Sequence, residues 1–141
     1  MTPEGKQKLK ALLARHEGYS QFVYTDTTNH LTIGIGRNLS DRGISTSEAY
    51  YLLEEDILYF SSKLNYHLKF FHELDENRQI AIIDMCFNLG LQGLLGFKNM
   101  ILALEAKDYE RAAQEMLQSK WADQVGDRAK DLASIIRTGN L

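Results

Sequence analysis

Cysteine and proline each occur once in the 141 residues, and valine twice. With Cys86 alone, an internal disulfide framework is excluded. Four scattered histidines give no spacing that suits zinc, so neither a metal nor a cofactor is expected. Nowhere do 18 apolar residues run together, and no apolar stretch follows a basic start, so the expectation is no membrane insertion and no export signal of the chain's own. An excess of positive charge is missing as well: the net charge is −3, which lacks the basic footprint of a nucleic-acid binder. That charge is uneven. Residues 1–44 carry 6 basic and 4 acidic groups, residues 45–77 carry 2 and 7, and residues 78–141 carry 8 of each.

What is present is leucine and isoleucine. Leu, Ile, Val and Phe number 20, 10, 2 and 6, or 38 of 141, which is enough apolar material to exclude disorder as the main state. One domain is expected at this length. Few prolines and a leucine excess over β-branched residues favour helices. Leu9, Leu12 and Leu13 lie at helical spacing in residues 3–15, after Pro3 and before Gly18. Phe22 to Tyr24 and Leu31 to Ile35 are β-prone runs around a polar turn, which predicts an antiparallel hairpin with Asn29 at positive φ, and a third short strand could follow. Ser45-Thr46-Ser47-Glu48 has the form of a capping box and opens a long amphipathic helix over 46–64.

After a break at 65–74, Asp75 can cap a helix in which eight of the ten residues from Ile80 to Leu89 are apolar, which places it at the centre of a bundle. Gly90 would stop it. Further helices are expected near 96–106, 109–120 and 127–137. The order gives an α+β, mostly helical chain: a small β lobe over 16–45, a connecting helix over 46–64, and a helical lobe over 65–141 joined by helix 3–15. Two lobes sharing one cleft would offer a ligand site.

Glu17, Asp26 nine residues later and Thr32 six further on bring two carboxylates and a hydroxyl to one hairpin. If Glu17 packs against apolar neighbours its pKa rises and it can hold a proton, while a solvated Asp26 stays ionised. Such a pair suits glycosidic cleavage. On spacing alone, solvated surface or cap residues are the commoner explanation.

Glu17-Gly18, Tyr24-Thr25-Asp26-Thr27 and Leu31-Thr32-Ile33-Gly34-Ile35-Gly36 resemble the phage-type lysozymes of the T-even family. So do Leu74-Asp75, Phe87 to Gly90, Gly96-Phe97 with Asn99, Ser119 to Trp121, Asp127 to Lys130 and Arg137 to Gly139, in the family's order over nearly the whole chain. The resemblance implies a two-lobed lysozyme fold and a muramidase that cuts the β-1,4 bond between N-acetylmuramic acid and N-acetylglucosamine. It implies Glu17 as general acid and Asp26 with Thr32 holding the attacking water, a pattern associated with inversion, though the sequence leaves the stereochemistry open. Asn38, Phe87 and Asn88 become candidate sugar contacts, and Arg128 a basic residue that in the family approaches the catalytic Glu. The partner would be peptidoglycan, met by a monomer made in the host cytoplasm and released to the wall, with help from a separate membrane-permeabilising protein.

Several residues keep a plainer reading. Asp84 and Asn88 share a helix face, and Asp84 reads as an exposed polar stripe. Asn38 could be loop solvation. Trp121 is a stacking platform or, more in keeping with a lone Trp, core. His67 and His72 read as surface residues and Cys86 as packing. Gly34-Ile35-Gly36 fails as a nucleotide loop, because Leu39 replaces the third glycine. Arg37 stands where relatives often have His, Asn29 where they have Gly, and the segment from Arg37 to Ser45 is short, so the small lobe should be compact. The acidic balance predicts weak long-range attraction to an anionic wall. It also motivates the competing expectation, a lysozyme-shaped binding or scaffolding module without turnover, since fold alone does not prove function.

Overall fold

The computed structural model describes residues 1–141. The chain runs α1 (Pro3–Glu17), β1 (Ser20–Thr25), β2 (Leu31–Gly34), β3 (Arg37–Asn38), α2 (Thr46–His67), a 3-10 turn (Phe71–Glu73), α3 (Glu76–Leu89), α4 (Leu91–Leu95), α5 (Lys98–Glu105), α6 (Tyr109–Leu117), α7 (Lys120–Val125) and α8 (Asp127–Thr138). It is the expected mostly helical α+β chain, and no helix is long and apolar enough to cross a membrane. Residues divide into two compact units, Met1–Leu52 and Leu53–Leu141, with the division inside α2.

In the first unit, Thr2 caps α1 by accepting a hydrogen bond from the Gly5 N–H at 3.0 Å, and Pro3 takes the first-turn position that needs no donor. Gly18, at φ 73°, ends the helix. The three strands form an antiparallel sheet in the order β1-β2-β3, with Tyr24 opposite Thr32 and Thr32 opposite Asn38. Asn29 turns the hairpin at φ 65°, as its side chain suits. The third strand exists but is only two residues long. The capping box closes reciprocally: the Glu48 N–H donates to Ser45 Oγ at 3.1 Å, and the Ser45 N–H donates to Glu48 Oε1 at 2.8 Å. Arg37 then binds the same carboxylate with both arms of its guanidinium, which ties β3 to the start of α2.

The second unit holds the main core. Leu64, Ile82, Met85, Leu94, Met100, Leu104, Met116 and Ile136 are fully buried there. Asp75 caps α3 as expected, and Gly90 ends it at φ 78°. The segment Ile80–Leu89 is not enclosed on every side: Ala81, Ile82, Met85 and Cys86 are buried, while Ile80 and Phe87 are 42% and 41% exposed. The buried four recur at helical spacing on the side where α3 meets α4 and α8, so a largely apolar stretch still buries one stripe. Burial pushes the Cys86 thiol up to about 11, in keeping with packing and not reactivity.

Seven α-helices follow the sheet where about five were expected. The extra ones are short pieces. Ser119 accounts for one: its Oγ donates to the Met116 carbonyl at 2.7 Å, finishing α6, and accepts from the Ala122 N–H at 3.1 Å, opening α7. One serine thus splits the single helix expected over 109–120. Arg78 supplies a long-range tie: its Nε donates to the Ile136 carbonyl at 2.7 Å, and its guanidinium lies 3.5 Å over the Tyr109 ring.

Candidate active site

Glu17 is the last residue of α1, and Gly18 turns the chain immediately into the sheet. Its carboxyl lies against the backbone of the turn between β2 and β3: a β-carbon on Gly36 would stand 2.8 Å from Glu17 Oε2 and 2.9 Å from Cδ. Gly36 also sits at φ 71°, which L side chains rarely adopt. Two requirements therefore select glycine at the second glycine of Ile-Gly-Ile-Gly. Glu17 is exposed, beside an open hollow of about 330 Å³ whose walls include Tyr19 and Tyr24. The condition set by the sequence, a carboxyl packed among apolar side chains, is not what this unit provides; the contact at Gly36 is backbone.

Asp26 follows β1 at the turn. Three donors converge on its Oδ1: the Thr28 N–H at 2.9 Å, the Thr28 hydroxyl at 2.9 Å and the His30 N–H at 2.8 Å. The His30 backbone donor is the main reason its pKa lies below the ordinary carboxylate value; partial burial opposes it, and the two Thr28 donors and the His30 charge assist. Asp26 is thus an ionised carboxylate, with its Oδ2 left out of the turn's hydrogen bonds.

Thr32 is 3% exposed on β2, and its hydroxyl donates to the His30 carbonyl at 3.0 Å. Asp26 and Thr32 therefore grip the two ends of one residue, His30. Its N–H goes to the acid and its C=O receives the alcohol's proton, leaving the Thr32 oxygen lone pairs as acceptors. Asn38 pairs with Thr32 across β2 and β3. Its amide oxygen accepts from the Asp41 N–H at 2.9 Å, and its Nδ2 donates to Asp41 Oδ2 at 3.3 Å, so the side chain closes the loop after β3.

The remaining candidates belong to the second unit. Phe87 is exposed, its ring 5.5 Å from that of Phe60. Asn88 accepts a hydrogen bond from the Trp121 indole N–H at 2.7 Å. Trp121 is 4% exposed, so it is core and not a stacking platform. Arg128 places Nε and Nη2 at 2.9 and 2.8 Å from Asp84 Oδ1, and Nη2 also donates to the Asp84 carbonyl oxygen. Asp84 is therefore a half-buried anchor for Arg128, where the sequence suggested an exposed stripe; a helix-face argument does not see a partner 44 residues away. Both line a mostly apolar hollow of about 330 Å³ with Leu53, Ile57, Ile80, Ile83 and Phe87.

Sequence reasoning passed over His30, Thr28 and Asp41. A hydroxyl two residues after an Asp in a turn is an available signal, since that spacing favours a side chain that bonds its own turn. The contact between His30 and Asp41 has no such local signature. No cluster of three or more His, Cys, Asp or Glu is arranged to hold a metal.

Residues 14–137 match the phage lysozyme family. Among similar proteins, "Probable T4-type lysozyme 1" of Dictyostelium discoideum is 28% identical over 94% of this chain and 95% of its own length. "Probable T4-type lysozyme 2" of the same organism is 28% identical with the same coverage. The pre-baseplate central spike protein Gp5 of Enterobacteria phage T4 is 29% identical over 92% of this chain, which corresponds to 28% of that longer protein. A family match over most of the chain, on the fold and hairpin described, places this protein in the phage lysozyme family of glycoside hydrolases.

Proposed function

We propose that the protein is a muramidase that hydrolyses the β-1,4 bond between N-acetylmuramic acid and N-acetylglucosamine in peptidoglycan, with Glu17 as general acid. Asp26 and Thr32 hold the attacking water. As water adds to the anomeric carbon, one of its protons passes to Asp26 Oδ2; Glu17 gives its proton to the glycosidic oxygen as the bond from carbon to that oxygen breaks. The observation that carries the reading is the fixing of Asp26 through Oδ1 alone, which keeps it ionised and leaves the other oxygen for water. A base of this kind, acting through water, corresponds to inversion of the anomeric centre.

Phe87 and Asn88 are proposed sugar contacts; Asn88 retains its Nδ2 donor on an exposed residue while Trp121 fixes its oxygen. Asn38 and Arg128 are proposed to act through what they hold, the loop at Asp41 and the carboxylate of Asp84. Peptidoglycan lies outside the cytoplasm, so an endolysin role requires passage through the membrane, supplied by a separate permeabilising protein. The test is product analysis: purified peptidoglycan should yield new reducing ends on muramic acid, the first formed as the α-anomer. Wall binding without new reducing ends would instead support the scaffolding reading that the acidic net charge suggested.

A further inference from the structure

His30 projects from the hairpin between two carboxylates that no backbone pairing brings together. Its Nδ1 lies 2.6 Å from Thr28 Oγ1, and its Nε2 lies 3.1 Å from Asp41 Oδ2 on the loop after β3. Thr28 in turn gives its hydroxyl proton to Asp26 Oδ1 at 2.9 Å. The result is a hydrogen-bonded line of side chains, His30, Thr28, Asp26, with Asp41 within ion-pair distance of the ring's other nitrogen.

The Thr28 hydroxyl fixes one proton of the ring. A threonine hydroxyl has one proton, and here it is spent on Asp26, so Nδ1 must donate to Thr28. Nε2 lies within ion-pair distance of Asp41, whose Oδ2 also accepts from Asn38 Nδ2. The ring therefore carries a proton on Nδ1, and the charged groups facing it are Asp26 from the end of β1 and Asp41 from the loop after β3. Loss of the Nδ1 proton reverses the middle link. Thr28 would then donate to the ring, and Asp26 would lose one of the three donors that fix Oδ1.

We propose that the His30 side chain is a positioning residue for Asp26, donating from Nδ1 to the Thr28 hydroxyl that in turn donates to the carboxylate. The proposal rests on the reading of Asp26 as the carboxylate that activates water. It adds the source of that carboxylate's orientation. Replacing the side chain leaves the backbone donor of His30 in place, so the effect falls on orientation and not on the turn itself.

The experiment combines imidazole nitrogen NMR of the wild-type protein with wall-hydrolysis kinetics of His30→Leu, His30→Gln and Asp26→Asn. Nδ1 should carry a proton at the pH of maximal activity. His30→Leu should lose about tenfold in kcat, as misplacement of a reacting group produces, with KM little changed. His30→Gln, which can still donate to one neighbour, should recover part of that loss. An unprotonated Nδ1 at the optimum would overturn the proposal on the wild-type protein alone. So would wild-type kcat in His30→Leu beside an inactive Asp26→Asn. Full activity in Asp26→Asn would remove the underlying reading of Asp26, and the proposal with it.

Discussion

Gly36 yields to Glu17: the space a β-carbon would take at Gly36 is occupied by the carboxyl group, 2.8 Å away at Oε2. Gly34, two residues earlier, has the same kind of backbone, φ 68°, but nothing within 4 Å of its missing β-carbon. The two glycines separate backbone strain from displacement of the acid. Alanine at either should cost about 1–2 kcal/mol of stability through the left-handed backbone. Only Gly36→Ala should also push Glu17 aside, with a fall in wall-hydrolysis rate of about tenfold to hundredfold. Denaturation midpoints and turnover of the two variants, compared side by side, check this; equal activity in both would show that the close approach is unimportant.

Acid stability of the small unit should depend on Glu48. The Arg37 guanidinium, with the Ser45 N–H and hydroxyl, holds this carboxyl down to about 2 from an ordinary value of 4.5. On acidification the unfolded chain takes up the proton first. The stabilisation is therefore complete above about pH 4.5 and is lost as the pH falls towards 2. Thermal midpoints measured from pH 6 down to pH 2.5 should fall less steeply in Glu48→Gln than in wild type. Asp26, also held below its ordinary value, should add to the same acid limb.

Much of this was legible locally. The capping box at Ser45, the Asn29 turn and the Gly18 and Gly90 stops are each set by residues within a few positions of one another, and backbone chemistry determines them directly. The places of Glu17 at a helix end and of Asp26 and Thr32 on the hairpin were legible for the same local reason, while the roles expected of them came from the resemblance to the phage-type lysozymes. What escaped was non-local or a competition between near-equal choices. The bond from Arg128 to Asp84 spans 44 residues and the one from Trp121 to Asn88 spans 33, beyond any periodicity argument. The split of α6 from α7 turns on Ser119 serving as stop and start together, where a continuous helix was an acceptable alternative. The one-sided burial of α3 came from which neighbours exist, and composition does not say.

Asn88 carries a structural duty beside its proposed sugar contact. Removing its amide leaves the indole N–H of a residue only 4% exposed without its partner. Asn88→Ala should cost about 1–3 kcal/mol, and little more in combination with Trp121→Phe than the Phe substitution costs alone, because the orphaned donor is then gone. A double-mutant cycle of urea denaturation checks this. Additive losses would show that water already satisfies the indole.

Glu17→Gln keeps the shape of the site and removes its proton donor, so release of reducing ends from purified peptidoglycan is the most direct measure of the account. A properly folded Glu17→Gln should lose about a hundredfold or more in turnover, the contribution of a required general acid. Release at the wild-type rate would contradict the assignment of Glu17 as that acid.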